Sequence, residues 1–216
     1  MSMPTPWRAE GRFVALEPLE AERHGDALHR TLHAPGGDPR LWDYLPYGPF
    51  EPSAWQAWIR DAERSPDPMF SAVIDRGTGA PLGWLALLRI EPEHRVIEVG
   101  HIVFGPRLQR TPHATEAIYL VARHVFDELG YRRFEWKCDA HNARSRAAAE
   151  RFGFRYEGTF RQHMIVKGAN RDTAWFAMLD GEWPAVRAGF ERWLSPGNFD
   201  AAGRQRARLA DLRNGA

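Results

Sequence analysis

"GHIVFGPRLQRTPHATEAIYLVARHVF", residues 100–126, runs from an apolar strand through a short loop into a long amphipathic segment. The strand signal stops at Gly105-Pro106, and the loop Arg107-Leu108-Gln109-Arg110-Thr111-Pro112-His113 follows. The apolar spacing predicts a helix over 114–129, stopped by Gly130. The first N–H groups of such a helix have no partner inside it, and its dipole leaves partial positive charge there. A strand–loop–helix joint of this kind suits phosphate, and Arg107 and Arg110 add charge. Two phosphate loops are excluded by their spelling. No Gly-Lys-Ser/Thr closes the loop as in a P-loop, and it holds no G-x-G-x-x-G dinucleotide fingerprint.

Working outward, strands are expected at 12–19, 68–76, 83–90, 95–104, 132–140, 154–168 and 170–180. Helices are expected at 20–34, 51–65 and 143–152, with Trp55, Trp58 and Ile59 as the stripe of the second. Residues 35–50 read as an ordered loop of turn formers and aromatics. The tail from Trp183 carries an amphipathic stretch and then an Arg-rich helical stretch over 200–216. The order β, α, α, β, β, β, α, β, α, β, β makes a mixed α/β domain with one large sheet.

The chain has 216 residues and a formal net charge of +1, so it is one domain with no global pull toward nucleic acid or an anionic membrane. One cysteine, Cys138, permits no intramolecular disulfide, which fits a cytoplasmic protein. No apolar stretch reaches the length of a membrane span, and the N-terminus lacks a signal-peptide core. No His/Cys/acid cluster has metal-ligand spacing.

The spacing Gln109-x-x-Pro112-x-Ala114 resembles the pyrophosphate loop of the GNAT superfamily of acyl-CoA-dependent N-acetyltransferases. The run 142–184, with Asn142, Ser145 and the Gly153-Phe154 turn, looks like the RimJ/RimL-like branch. The resemblance spans about residues 12 to 184. It implies an α/β fold with a single mixed, mostly antiparallel sheet flanked by helices and splayed between its fourth and fifth strands. Residues 1–184 would form this domain and 185–216 a C-terminal helical extension. Acetyl-CoA would be the co-substrate, with no metal. Ile102, Val103 and Phe104 would pair their backbone with the pantetheine arm. N–H groups around Gln109, Arg110, Thr111, His113, Ala114 and Thr115 would cradle the pyrophosphate, and Asn142 would bond the pantetheine. Pro112 departs from the usual glycine and removes one donor. Ala149 stands where many members carry a tyrosine acid.

Acetyl transfer to an amine needs a base, a stabiliser for the oxygen that gains charge, and an acid for the leaving thiolate. Glu98 is the first candidate base, since an apolar strand raises a carboxyl pKa. A cross-sheet pair with Arg95 or Arg133 is its equal alternative. His101 is the second candidate. Strand alternation sets it opposite Glu98 unless a bulge marked by Gly100 intervenes. Ser145 is the candidate acid or sulfur partner. The acceptor would be a protein N-terminus or a small-molecule amine. A non-catalytic acyl-CoA-binding regulator is the rival, and RNA contact through the tail is a weaker one. The apolar tail face, Val186, Phe190 and Leu194, would either cover the domain or join a second copy as a homodimer.

Overall fold

The computed structural model describes residues 3–34 and 38–214. Residues 35–37 of the aromatic loop and 215–216 of the tail lie outside the described residues. Eight strands form one sheet: β1 (Ala9–Glu10), β2 (Val14–Pro18), β3 (Met69–Asp75), β4 (Pro81–Glu91), β5 (Val96–Phe104), β6 (Arg133–Asp139), β7 (Arg155–Val166) and β8 (Ala169–Leu179). Their spatial order is β1-β2-β3-β4-β5-β6-β8-β7. β5 and β6 run parallel and every other neighbour pair is antiparallel. A parallel pair needs a crossover, and the helix read in 100–126 supplies it.

Two cores sandwich the sheet. On one face α1 (Ala21–Leu32) and α2 (Pro52–Arg64) cover an aromatic cluster with Trp42, Trp55, Phe70 and Trp84 at its centre. On the other, α3 (Pro112–Arg123), α4 (Ala143–Phe152) and α5 (Trp183–Leu194) cover a mainly aliphatic core. α3 is held by the buried Glu116, whose carboxylate accepts the N–H groups of Arg12, Phe13 and Val14 at 2.7, 2.6 and 2.8 Å. α4 ends at Gly153, whose φ of +100° is a left-handed cap that a side chain would strain.

Three helix bounds need correction. α3 begins at Pro112 rather than 114, because the ring's fixed φ and missing N–H suit the first helical position. Its end is a π-turn, His124–Glu128, closed by the Leu129 N–H on the His124 carbonyl; His124 stacks on Trp7 at 4.0 Å there. Among the described residues, 200–208 are turns and irregular backbone, and a helix, α6, covers only Leu209–Asn214. Arg204 and Arg208 there pair with Asp200 and Asp211, so part of the tail's basic charge is already matched. The extension read from residue 185 starts inside α5. Trp183, Val186, Phe190 and Trp193 belong to the main core, so the apolar tail face covers the domain.

Candidate active site

β5 and β6 pair only from Val96↔Arg133 to Val99↔Trp136. Beyond that register the strands separate, and their ends diverge into an open cleft. On β4 the partners of Gly100 and Val103 are Ala86 and Trp84. His101 and Ile102 therefore face a single residue, Leu85, which defines a β-bulge. The bulge residue is His101, with φ +49°, and not Gly100. The extra residue turns His101 and Val103 onto the face that carries Glu98 and leaves Ile102 and Phe104 against the aliphatic core. Gly83 permits the tight closure beyond the bulge; a Cβ there would lie 2.1 Å from the Val103 carbonyl oxygen.

Glu98 is 2% exposed. Its partners are neither Arg95 nor Arg133. Arg89 donates to both carboxylate oxygens at 2.8 and 3.2 Å, and Lys137 lies 3.0 Å away. Arg89 reaches it because β4 also bulges. Its φ is +46°, and Asp67 pins the Arg89 and Ile90 N–H groups at 2.9 and 3.1 Å. Burial pushes the Glu98 carboxyl above its ordinary range, and Lys137 and Arg89 pull it back. Lys137 also pairs with Glu135 at 2.7 Å and lies 3.8 Å above the Trp175 ring. Arg133 closes the network on Glu135 and Glu157.

His101 Nδ1 lies 2.9 Å from the Tyr47 hydroxyl, and the two rings stack 5.5 Å apart. Burial first, then the charges of Arg89 and Arg171, push its pKa down to about 4. The ring is therefore neutral at neutral pH. Burial pushes the Tyr47 hydroxyl above the ordinary tyrosine range. The 38–48 segment roofs this side of the cleft. Lys167, at the β7–β8 turn, donates to the Trp42 and Gly48 carbonyls at 2.9 Å each. Arg144 pairs with Asp38 at 2.8 Å, and the Tyr44 hydroxyl donates to the His141 carbonyl at 3.3 Å.

The loop of the opening motif lies at the mouth of the cleft, ahead of α3. Thr111 Oγ1 donates to the Leu108 carbonyl at 2.6 Å, and Gln109 Nε2 to the Phe104 carbonyl at 2.7 Å. The Gln109 N–H is taken by Gly105. Among the described residues no acceptor takes the N–H groups of Arg110, Thr111, His113 or Ala114. Arg110 has φ +60°, a turn that helps bend the loop ahead of the helix. Such a row of free donors fits a pyrophosphate, and Pro112 falls where a helix has no use for its N–H. His113 is half-buried beside Phe13, with Nε2 3.9 Å from Asp75. The Thr115 hydroxyl accepts from Arg151 at 3.0 Å.

Asn142 caps α4, its Oδ1 accepting the Ser145 N–H at 3.1 Å. Ser145 Oγ accepts from the Trp136 indole at 2.9 Å. It faces the side of β6 opposite Glu98, next to Cys138, whose thiol burial pushes up. Ala149 is fully buried. The structure thus sets Glu98 and His101 on one face of β5, each with its own partners, and Asn142 and Ser145 on the other wall. Sequence reasoning missed Arg89, Lys137, Arg171 and the bulge backbone. Only Lys137 left a trace, as one of two lysines in a chain otherwise served by arginine. Among the described residues no three metal-ligating side chains converge, and no helix is long and apolar enough to cross a membrane.

Residues 14–155 match the model of the acetyltransferase (GNAT) domain. The crystal structure of a GCN5-related N-acetyltransferase from Brucella melitensis is 48% identical, covers 98% of this chain and 96% of its own, and superposes with a TM-score of 0.95. The uncharacterized N-acetyltransferase YnaD of Bacillus subtilis (strain 168) is 28% identical over 152 residues, 68% of this chain and 84% of that protein. A spermidine N-acetyltransferase from Vibrio cholerae, solved with CoA and spermine, shares the fold at 18% identity, with a TM-score of 0.63 over 79% of this chain and 98% of its own.

Proposed function

The chain belongs to the acetyltransferase (GNAT) domain family, and from that premise we propose that it transfers the acetyl group of acetyl-CoA directly to a primary amine, as a member of the RimJ/RimL-like branch. The observation that carries this reading is the splayed β5–β6 cleft, with free N–H donors at one mouth and Glu98 and His101 on one wall. Acetyl-CoA supplies an activated thioester. Arg110, Thr111, His113 and Ala114 would hold its pyrophosphate through their backbone, and Asn142 Nδ2 is left to bond the pantetheine. The two β5 residues at the bulge face one residue of β4, and an N–H of the His101–Ile102 pair would serve the oxygen that gains charge during attack.

His101 is the base this geometry favours. It is neutral at neutral pH, and Tyr47 orients its ring. The unprotonated fraction of the amine attacks the thioester carbonyl, and the proton its nitrogen sheds as the C–N bond forms passes to the neutral imidazole while the thiolate leaves. Glu98 has both oxygens engaged by cations. Its carboxylate holds Arg89 and Lys137 in place and fixes the field around the imidazole. Ser145 is committed to Trp136 and serves as a neighbour of the thiol rather than a strong acid.

Calorimetric titration with acetyl-CoA, followed by an amine screen with His101→Gln and Glu98→Gln, tests the reading. Saturable binding and a turnover loss of about 100-fold or more in His101→Gln are expected. An absence of acetyl-CoA binding at millimolar ligand would sink it. Binding without turnover on any amine would instead leave a CoA-binding regulator.

A further inference from the structure

The charges on the cleft-side face of the sheet are nearly all matched. Arg89 and Lys137 meet Glu98, Lys137 and Arg133 meet Glu135, and Arg133 meets Glu157. Arg171 on β8 is different. Its side chain is half-buried, and its Nε donates to Thr173 Oγ1 at 3.2 Å, which also bonds His163 Nδ1 at 2.9 Å. Thr173 is itself 1% exposed, so the guanidinium is fixed along the strand rather than free in solvent. Among the described residues no carboxylate forms an ion pair with it. Asp139 is near enough for its charge to be felt, but its Oδ1 is turned to the His141 N–H at 2.8 Å and to the His141 ring at 3.1 Å.

The location matters as much as the missing partner. Thr173 pairs with Asp139, at the end of β6 where β5 has already peeled away. The charge of Arg171 reaches His101 across this gap. Glu98 and Glu135 offset Arg89 and Lys137, and burial with the nearby cations lowers the His163 pKa, so among the described residues Arg171 is the unmatched charge that faces the imidazole. A molecule with a carboxylate beside its amine meets a planar donor fork, which binds carboxylates through two parallel hydrogen bonds.

Building on the acetyltransferase reading, we propose that Arg171 docks a carboxylate of the acceptor, so that the acceptor is a small molecule of the amino-acid type with amine and carboxylate a few bonds apart. The guanidinium anchors the carboxylate at the β8 end of the cleft while the amine points toward His101. Arg171 acts in specificity and takes no part in proton transfer.

The test is thiol release from acetyl-CoA by the full chain with common amino acids, their amides and the matching decarboxylated amines. The expected result is a kcat/KM about 10- to 100-fold higher for the carboxylate member of each pair, carried mainly by KM. Arg171→Met should collapse that ratio toward one, and Arg171→Lys should restore part of it. Acetyl-CoA titration of each variant shows that the fold is retained. Equal kcat/KM within pairs, or preference for the decarboxylated amine, overturns the proposal and leaves the acetyltransferase reading standing. Turnover of neither member, with acetyl-CoA bound, overturns it as well. Failure to bind acetyl-CoA sinks the parent reading.

Discussion

Under α1 and α2 the cleft-side face of the sheet is aromatic, whereas from β5 to β8 the same face is ionic. In the first region Trp42, Trp55 and Trp58 surround Trp84 with ring centroids 6.1, 5.8 and 5.0 Å away. Two helices cover it, and burial of aromatic area stabilises it without demanding one geometry. In the second region the charges lie beyond the aromatic cluster that α1 and α2 cover. Lys137 is buried there by Trp175 and by two carboxylates. Such a network repays its desolvation only while every partner is present. The contrast teaches that this face separates support from chemistry. The aromatic half fixes the frame, and the ionic half holds fixed charge around His101.

The largest expected effect breaks the aromatic half. Trp84→Ala should cost about 3–5 kcal/mol in urea unfolding, from lost transfer energy and the cavity left behind. The shape of the pH–activity profile should stay as it was. A loss below about 1 kcal/mol would mean that this half is not the structural frame.

Next comes the ionic half. Lys137→Met should cost about 3 kcal/mol, because Glu98 and Glu135 then face one another with only Arg89 and Arg133 to offset them. Adding Glu98→Gln should recover most of that loss, which is a direct measure of coupling. If the double variant is as weak as the sum of both single changes, Lys137 supports the sheet by packing alone.

The smallest effect concerns His101. Its folded pKa of about 4 lies below the ordinary histidine value of 6.5. The unfolded chain therefore takes up the proton first, so the contribution is full above pH 6.5 and is lost as pH falls from 6.5 to about 4. About 2 kcal/mol should be involved, after a discount for the ring's partial exposure. Unfolding free energies of wild type and His101→Gln across that window measure it. Parallel curves would show that the ring is not held neutral by the fold.

Much of the frame was legible in residues 100–126. The Gly105-Pro106 stop, the loop and the amphipathic helix located the crossover that forces β5 and β6 to run parallel. Asn142 was placed through the resemblance, as a pantetheine contact, and its role as the cap of α4 came from the structure. The partners of Glu98 were not legible. Arg89 precedes it by nine residues, on a strand whose alternation would turn it away, and only the bulge at φ +46° brings it round. His101 illustrates the same limit. Gly100 drew attention to a bulge, yet the strained position fell one residue later. The two-residue strand β1 left no periodic signal at all.

By itself the sequence determined the element order, the crossover, the free helix N-terminus and the short set of residues able to do chemistry, because these follow from local spacing, capping and turn residues. Tertiary structure alone decided which of them meet. A bulge shifts side chains from one face of a sheet to the other. Ion pairing depends on residues far apart in the chain, such as Glu98 and Lys137, which the parallel register brings within 3.0 Å. Whether Arg171 is matched depends on where every nearby carboxylate has gone, and only the assembled sheet fixes that.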